Sequence, residues 1–219
     1  YLDGLNFKIG DKQDCRMDAD VVSDKPLVIG FDANANINCL TVAQVGDDNK
    51  LRIVRSMYVK YERKLLELCD DFNDYFQYQR NKNVIFYFDA TFVGNNYGIN
   101  SDDFHKQIKN RLIGLGWFVD EVYIGAPKPH LEKQELINRM FRGRANHQIL
   151  INKDNCEDLI ISLENAGVYN NGKDKRGEKL VETDEDPLES RTDFSDSFDT
   201  VCIGVEKFPR FQIDLGNVS

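Results

Sequence analysis

The chain has 219 residues, 41% of them hydrophobic and 14 of them Phe, enough for one domain with a real core, and this excludes global disorder. Five Pro and 15 Gly exclude collagen-like and low-complexity classes. The net charge of −9 would argue against a nucleic-acid binder, but residues 178–199 hold nine acidic against two basic residues while 104–148 hold eight basic against four acidic, so local patches decide.

Residues 1–24 are polar without a clear period and read as a connecting arm. The first residue is Tyr and no basic-then-apolar leader follows, so the chain reads as a piece of a longer polypeptide. Leu27-Val28-Ile29-Gly30-Phe31 is a continuous apolar run ending in Asp32, the pattern of a buried strand. Two β-rich runs follow at 38–45 and 51–59, separated by the turn signal Gly46-Asp47-Asp48-Asn49, so three antiparallel strands are expected. Tyr61, Leu65, Leu68, Phe72, Tyr75 and Phe76 recur at helical spacing and predict an amphipathic helix over 61–81, with the stripe and Trp117 in the core. Val84-Ile85-Phe86-Tyr87-Phe88 is a second strand that ends in an acid, Asp89.

Residues 91–100 read as a loop, and Ser101-Asp102-Asp103 supply N-cap chemistry for a helix to about 115. A strand over 117–124, a helix opened by Pro129 and running to 141, a short strand at 147–151 and a helix at 155–165 follow. Residues 173–179 read as a mobile basic turn, the acidic stretch after them as irregular, and 194–206 as a closing helix. This order implies an α/β fold, a mixed sheet of three antiparallel strands with a parallel βαβ extension, flanked by helices. The expected divisions are the arm at 1–24, a domain at 25–209 and a tail at 210–219.

No apolar run approaches the ~20 residues of a membrane-spanning helix. The five cysteines are scattered without a Cys-x-x-Cys pair, which favours a reducing compartment over a disulfide framework or a zinc site. His105, His130 and His147 share no zinc-like spacing and read as structural or surface residues.

Asp32 and Asp89 end two strands, and Asp196 and Asp199 stand three residues apart on the last helix, on one face. If the two strands pair in parallel, all four acids converge. Carboxylates ~4 Å apart repel by about 4 kcal/mol at an effective dielectric of 20, so such a cluster asks for protons or a cation. Oxygen-only ligands select Mg²⁺ or Mn²⁺, and two such ions can hydrolyse a phosphodiester. Asp193 and Asp102 read as helix caps or exposed residues.

Val28-Ile29-Gly30-Phe31-Asp32, Phe86-Tyr87-Phe88-Asp89 and Asp196-Ser197-Phe198-Asp199-Thr200 resemble the ribonuclease-H-like superfamily, and within it the nuclease domain of the large terminase subunit of tailed bacteriophages, over 25–209. Thr200 and Ile203 depart from the Ala and the aromatic residue many members carry there. The resemblance implies a metal-dependent endonuclease that cuts concatemeric viral DNA during packaging. Asp32 would bridge two Mg²⁺ or Mn²⁺ ions, Asp89 would hold one, and Asp196 with or without Asp199 would complete the other. It also implies double-stranded DNA, an N-terminal ATPase motor, a portal and a small terminase subunit as partners, and the host cytoplasm as location. No Gly-x-x-x-x-Gly-Lys loop occurs here, so motor activity would lie elsewhere. A Holliday-junction resolvase or transposase-like nuclease of the same fold, and a non-catalytic binding module, are the alternatives.

Lys128, at a strand end after Gly125-Ala126-Pro127, is placed to hold the scissile phosphate. Arg139, Arg142, Arg144, Lys173, Lys175, Arg176 and Lys179 are candidate contacts to the DNA backbone, which give affinity without sequence reading. No element reads as a groove-inserting recognition helix, so low sequence specificity is expected.

Overall fold

The computed structural model describes residues 8–9, 13–17, 19–94, 102–170 and 172–210. The strands are β1 (Lys8–Ile9), β2 (Gln13–Asp14), β3 (Arg16–Met17), β4 (Leu27–Ala33), β5 (Ile37–Val45), β6 (Lys50–Lys60), β7 (Asn83–Phe88), β8 (Phe118–Tyr123), β9 (Gln148–Asn152), β10 (Val168–Tyr169) and β11 (Gly172–Lys173). The helices are α1 (Leu65–Tyr75), α2 (Phe104–Gly114), α3 (His130–Phe141), α4 (Glu157–Asn165) and α5 (Asp193–Lys207). Seven strands form one sheet in the order β3-β9-β6-β5-β4-β7-β8. β4, β5 and β6 are antiparallel neighbours, while β7 and β8 extend the β4 side in parallel and β9 runs parallel to β6. The fold is thus the α/β mixed sheet expected from the element order.

Alternation along the strands sends Leu27, Ile29, Phe31, Val84, Phe86 and Phe88 to a core completed by Leu68 and Phe72 of α1 and by Ile108 and Leu112 of α2. The alternate residues Val28, Ile85 and Tyr87 face a second core with Phe141 of α3, Leu159 of α4 and Phe194, Phe198 and Val201 of α5. Burial on both faces is why β4 reads as an unbroken apolar run. In the β5–β6 turn, Asn49 takes the left-handed conformation (φ 56°) that Asn tolerates better than most residues.

Several expectations shift. The helix predicted from residue 61 begins at Leu65: residues 61–63 make a turn in which the Arg63 N–H donates to the Lys60 carbonyl, and Tyr61 is exposed. The Lys64 N–H then donates to the Glu67 carboxylate, fixing the first turn. The N-terminal stretch read as an arm joins the sheet at Arg16–Met17, and buried Gln44 donates to the Val22 and Lys25 carbonyls and so pins the segment after it. Asp103 occupies the cap position of α2 without a side-chain cap bond; its carboxylate pairs instead with His105 and Lys106. Ser101, most of the loop over 95–100 and the tail beyond Arg210 lie outside the described residues.

Glu121 of β8 ties the sheet to α2, accepting from His105 Nδ1 at 2.7 Å and from Lys109 Nζ at 2.6 Å. Burial alone would raise the Glu121 carboxyl, but these two hydrogen bonds outweigh it and hold it below the usual carboxylate range. A carboxyl depressed on folding stabilises the protein above its unfolded pKa of about 4.3, and that contribution fades as the pH falls through the folded value. Glu121→Gln is therefore expected to cost about 1 kcal/mol at pH 7, and less as the pH drops below about 4. Thermal melts at pH 7 and pH 3.5 check this; a stability gap of equal size at both values would show that the charge contributes nothing.

Candidate active site

β4 and β7 pair in parallel from Leu27↔Val84 to Gly30↔Tyr87, and continuing that register sets Asp32 level with Asp89. Gly30 and Tyr87 both face α5: a Cβ on Gly30 would meet Val201 Cγ2 at 2.8 Å, and one on Gly204 would meet the Tyr87 ring. Two residues further on, Asp32 and Asp89 therefore project to the same α5 side, at the carboxyl ends of adjacent strands about 4.8 Å apart. Both are half-buried. Strand carboxyl ends are where open α/β sheets gather ligands.

Gly30 faces Ser197 and Val201 while Asn34 meets Asp193, so α5 runs antiparallel to β4 and its first two turns bring Asp193, Asp196 and Asp199 towards this edge. A spacing of three falls short of one turn by about 60°, so the three carboxylates fan across about 120°. Asp193 points to β4: the Asn34 amide donates to Asp32 Oδ2 at 2.8 Å and to Asp193 Oδ1 at 2.5 Å. Asp199 points to β7 and shares with Asp89 the wall of a cavity of about 20 Å³, room for a single water-sized group. Asp196 lies between them and meets the β10–β11 hairpin, where Lys173 Nζ contacts Asp196 Oδ1 at 2.6 Å and Asp199 Oδ2 at 2.9 Å.

Asp193, read from sequence as a cap or exposed, is 5% exposed, and Thr192 holds the cap position. Asn34 and Lys133 also escaped the sequence reading; Lys133 Nζ lies 3.3 Å from Asp199 Oδ2. The signal for Asn34 was its alternation with Asp32 and that for Asp193 the repeated spacing of three, whereas Lys133 carried none.

Burial alone would raise the Asp196 carboxyl, but the ammonium groups of Lys173, Lys175 and Lys133 outweigh it and hold it well below the usual range. Burial would likewise lower the Lys173 ammonium, and Asp199 and Asp196 reverse that and raise it. Burial pushes up the Cys39 thiol, beside Asp32 on β5, and the charges of Asp193 and Asp32 push it further, so Cys39 is an inert neighbour. Asp89 Oδ1 accepts from the Thr91 N–H at 2.8 Å and from Thr91 Oγ1 at 2.6 Å.

Each acid is thus turned towards a donor of the chain, and among the described residues no three His, Cys, Asp or Glu side chains surround a common cation position. The donor chemistry nonetheless fits a hard divalent cation. All the candidate donors are carboxylate oxygens, and Asp199 Oδ1 is buried without a hydrogen-bond partner beside the Asp89 cavity.

The basic candidates divide. Lys128 lines the Asp89 cavity, 3.7 Å from Glu132, and exposed Lys175 contacts Asp196. Lys173 is not part of a mobile basic turn: it is a strand residue with a fully buried side chain, held by two carboxylates, and it cannot touch a DNA backbone in this arrangement. Arg176 is exposed but paired with Asp174 and laid over the Tyr169 ring. The side chain of Lys179 lies outside the described residues. Arg139, Arg142 and Arg144 are exposed at the end of α3, next to the Asn146 and His147 amides that bond Glu206. Glu206 is about 20 Å along α5 from Asp193, so the structure does not bring these arginines to the acids.

Comparison with solved structures places this architecture. The large terminase of bacteriophage HK97 superposes over 86% of this chain with a TM-score of 0.52 at 10% identity. The fold is ribonuclease-H-like. This chain spans 41% of the length of that terminase chain. RuvC of Thermus thermophilus (TM-score 0.35, 15% identity, 82% of this chain and 93% of that one) and the yeast mitochondrial Holliday junction resolvase Ydc2 (0.38, 10%, 84% and 83%) are also similar. The sequence itself matches no protein-family model and no curated protein. On a ribonuclease-H-like sheet, the end carrying Asp32 and Asp89 is the edge that α5 loads with acids.

Proposed function

We propose that the chain is the metal-dependent DNA endonuclease domain of a viral packaging terminase, hydrolysing phosphodiester bonds with Mg²⁺ or Mn²⁺. The observation that carries this reading is the placement of Asp32 and Asp89, level on adjacent parallel strands and on the side of the sheet where α5 brings three further carboxylates. Asp32 and Asp89, with a carboxylate of α5, would hold two such ions. A divalent cation supplies a lowered water pKa and a counter-charge for the departing oxygen.

The chain's own residues do the rest. Half-buried Asp32 and Asp89 present anionic oxygen at a fixed spacing because their strands are locked in register. Lys128 and Lys133, on the wall of the Asp89 cavity, offer positive charge to a scissile phosphate. Exposed Lys175 and, farther away, Arg139, Arg142 and Arg144 offer charge to the flanking backbone, a contribution that weakens steeply with salt. On this reading the working partners are double-stranded DNA, an ATPase motor, a portal and a small terminase subunit, in the host cytoplasm.

Supercoiled plasmid tests the reading. Nicking is expected with Mn²⁺ or Mg²⁺ and is expected to stop when EDTA removes the ion. A chain that nicks with neither ion, or that continues in EDTA, defeats the proposal.

A further inference from the structure

We infer that Lys173 is a removable counter-cation: its ammonium holds the place between Asp196 and Asp199 where the acids of α5 would take a divalent ion, and uptake of the ion displaces it. This rests on the metal-dependent reading above and gives hairpin β10–β11 control over that site. Lys173 Nζ lies 2.6 Å from Asp196 Oδ1 and 2.9 Å from Asp199 Oδ2, so one single charge bridges two carboxylates. The Lys173 side chain is fully buried and Asp199 is 1% exposed, so salt and water screen little of that attraction. Lys133 Nζ, 3.3 Å from Asp199 Oδ2, and Lys175, in contact with Asp196 Oδ2, are drawn to the same acids. Even so, Asp199 Oδ1 is buried without a hydrogen-bond partner beside the Asp89 cavity. A hard divalent ion binds carboxylate oxygen directly, and it cannot share Asp196 Oδ1 and Asp199 Oδ2 with an ammonium of like charge. One of the two cations must leave.

Lys173 is carried by an element that can move. β10 and β11 are two residues each, joined through Val168↔Lys173 and Tyr169↔Gly172, and among the described residues they pair with each other and not with the seven-stranded sheet. Val168 and Tyr169 are exposed, and a two-stranded hairpin is marginal on its own. The hairpin is seated on the body in part by the Lys173 charge pairs and in part by Gly172, where a Cβ would meet the His130 ring of α3 at 3.0 Å. An ion that takes over the two carboxylates cancels the first of these attachments. Ion uptake and hairpin release are therefore two sides of one equilibrium, and the fraction of chains with Lys173 withdrawn limits the apparent affinity for the ion.

Mn²⁺ titrated into the 219-residue chain without DNA, with free Mn²⁺ followed by its electron paramagnetic resonance signal, tests the inference. Lys173→Gln is expected to bind Mn²⁺ at least about tenfold more tightly than the parent, because an occupant present in nine chains of ten lowers apparent affinity by that factor. A lysine that merely props the acids would give the opposite sign. Lys175→Gln, which removes an equal but exposed charge from Asp196, is expected to stay within about threefold of the parent. The second measurement needs no variant. Amine acetylation of the parent, read by peptide mass spectrometry against exposed Lys106, is expected to rise at Lys173 at least about tenfold at saturating Mn²⁺, since an occluded group reacts only from its opened state. If Lys173→Gln does not fold, as a thermal melt reports, this labelling decides alone. Parental or weaker binding by folded Lys173→Gln, Lys173 labelling unchanged by Mn²⁺, or no Mn²⁺ binding by the parent overturns the inference. Both readouts stand apart from cleavage. A chain that binds Mn²⁺ and releases Lys173 but never nicks plasmid defeats the nuclease reading and leaves this inference standing; one that nicks while Lys173 stays protected does the reverse.

Discussion

Asp32→Asn is expected to lower Mn²⁺-dependent plasmid nicking at least about 10²-fold, beyond the 10–100-fold that follows loss of an outer-shell partner at a metal site. The substitution keeps the size and shape of the side chain and removes its charge. Asp32 is half-buried at the end of β4, and the residues that anchor that strand, Leu27, Ile29 and Phe31, are untouched, so the thermal midpoint should stay close to that of the parent. Its partner is an amide that can also face an amide, so the local hydrogen bonding with Asn34 survives. Initial nicking rates and a melt on the same preparation decide the matter. Equal cleavage by the variant would remove Asp32 from the chemistry.

Gly204→Ala is expected to destabilise the fold by about 3 kcal/mol, at the upper end of the range for overpacking a core. A Cβ at this position would lie 2.2 Å from Tyr87 Cγ and 2.4 and 2.6 Å from its Cδ atoms. These atoms are the root of the ring, so no end-of-chain rotation relieves the clash. Tyr87 is fully buried, and its hydroxyl donates to the Phe208 carbonyl at 2.8 Å, which holds the far end as well. Either the ring or α5 must move, and α5 carries the acids. At roughly 2–4 °C per kcal/mol for a chain of this size, the midpoint should fall by about 6–12 °C. Gly114→Ala is the companion: nothing lies within 4 Å of a Cβ there, and Ala favours a helix, so that variant should melt at or above the parent. A Gly204→Ala protein that melts with the parent would mean that the close seat of α5 on the sheet is wrong.

The features legible in the sequence were those set locally. An apolar run stopped by a carboxylate announces a strand end, and Asp32 and Asp89 are where such runs stop. The antiparallel set follows from short turns such as 46–49. Tyr61 misled because it falls by chance in phase with the stripe of α1, while the Lys60 carbonyl captures the Arg63 amide before the helix can start. Lys173 was illegible for another reason. A lysine in a polar stretch reads as solvated, and what buries it are two acids 23 and 26 residues further on. The same holds for Asp193, whose partner amide belongs to a hairpin 159 residues earlier in the chain. Charge pairing across the fold leaves no periodic trace.

Twelve of the fifteen residues of α5 are buried, among them Phe194, Phe198, Val201 and Val205, so the helix that delivers the acids is also the spine of one core. Adding or deleting one residue within it would turn everything beyond by about 100° and swing aromatic rings towards water while carrying carboxylates into oil. Divergent descendants of this chain are therefore free to lengthen the hairpin or the acidic stretch before α5, but they must inherit the helix itself letter count intact. The phase between its oily and charged stripes is a single hereditary unit.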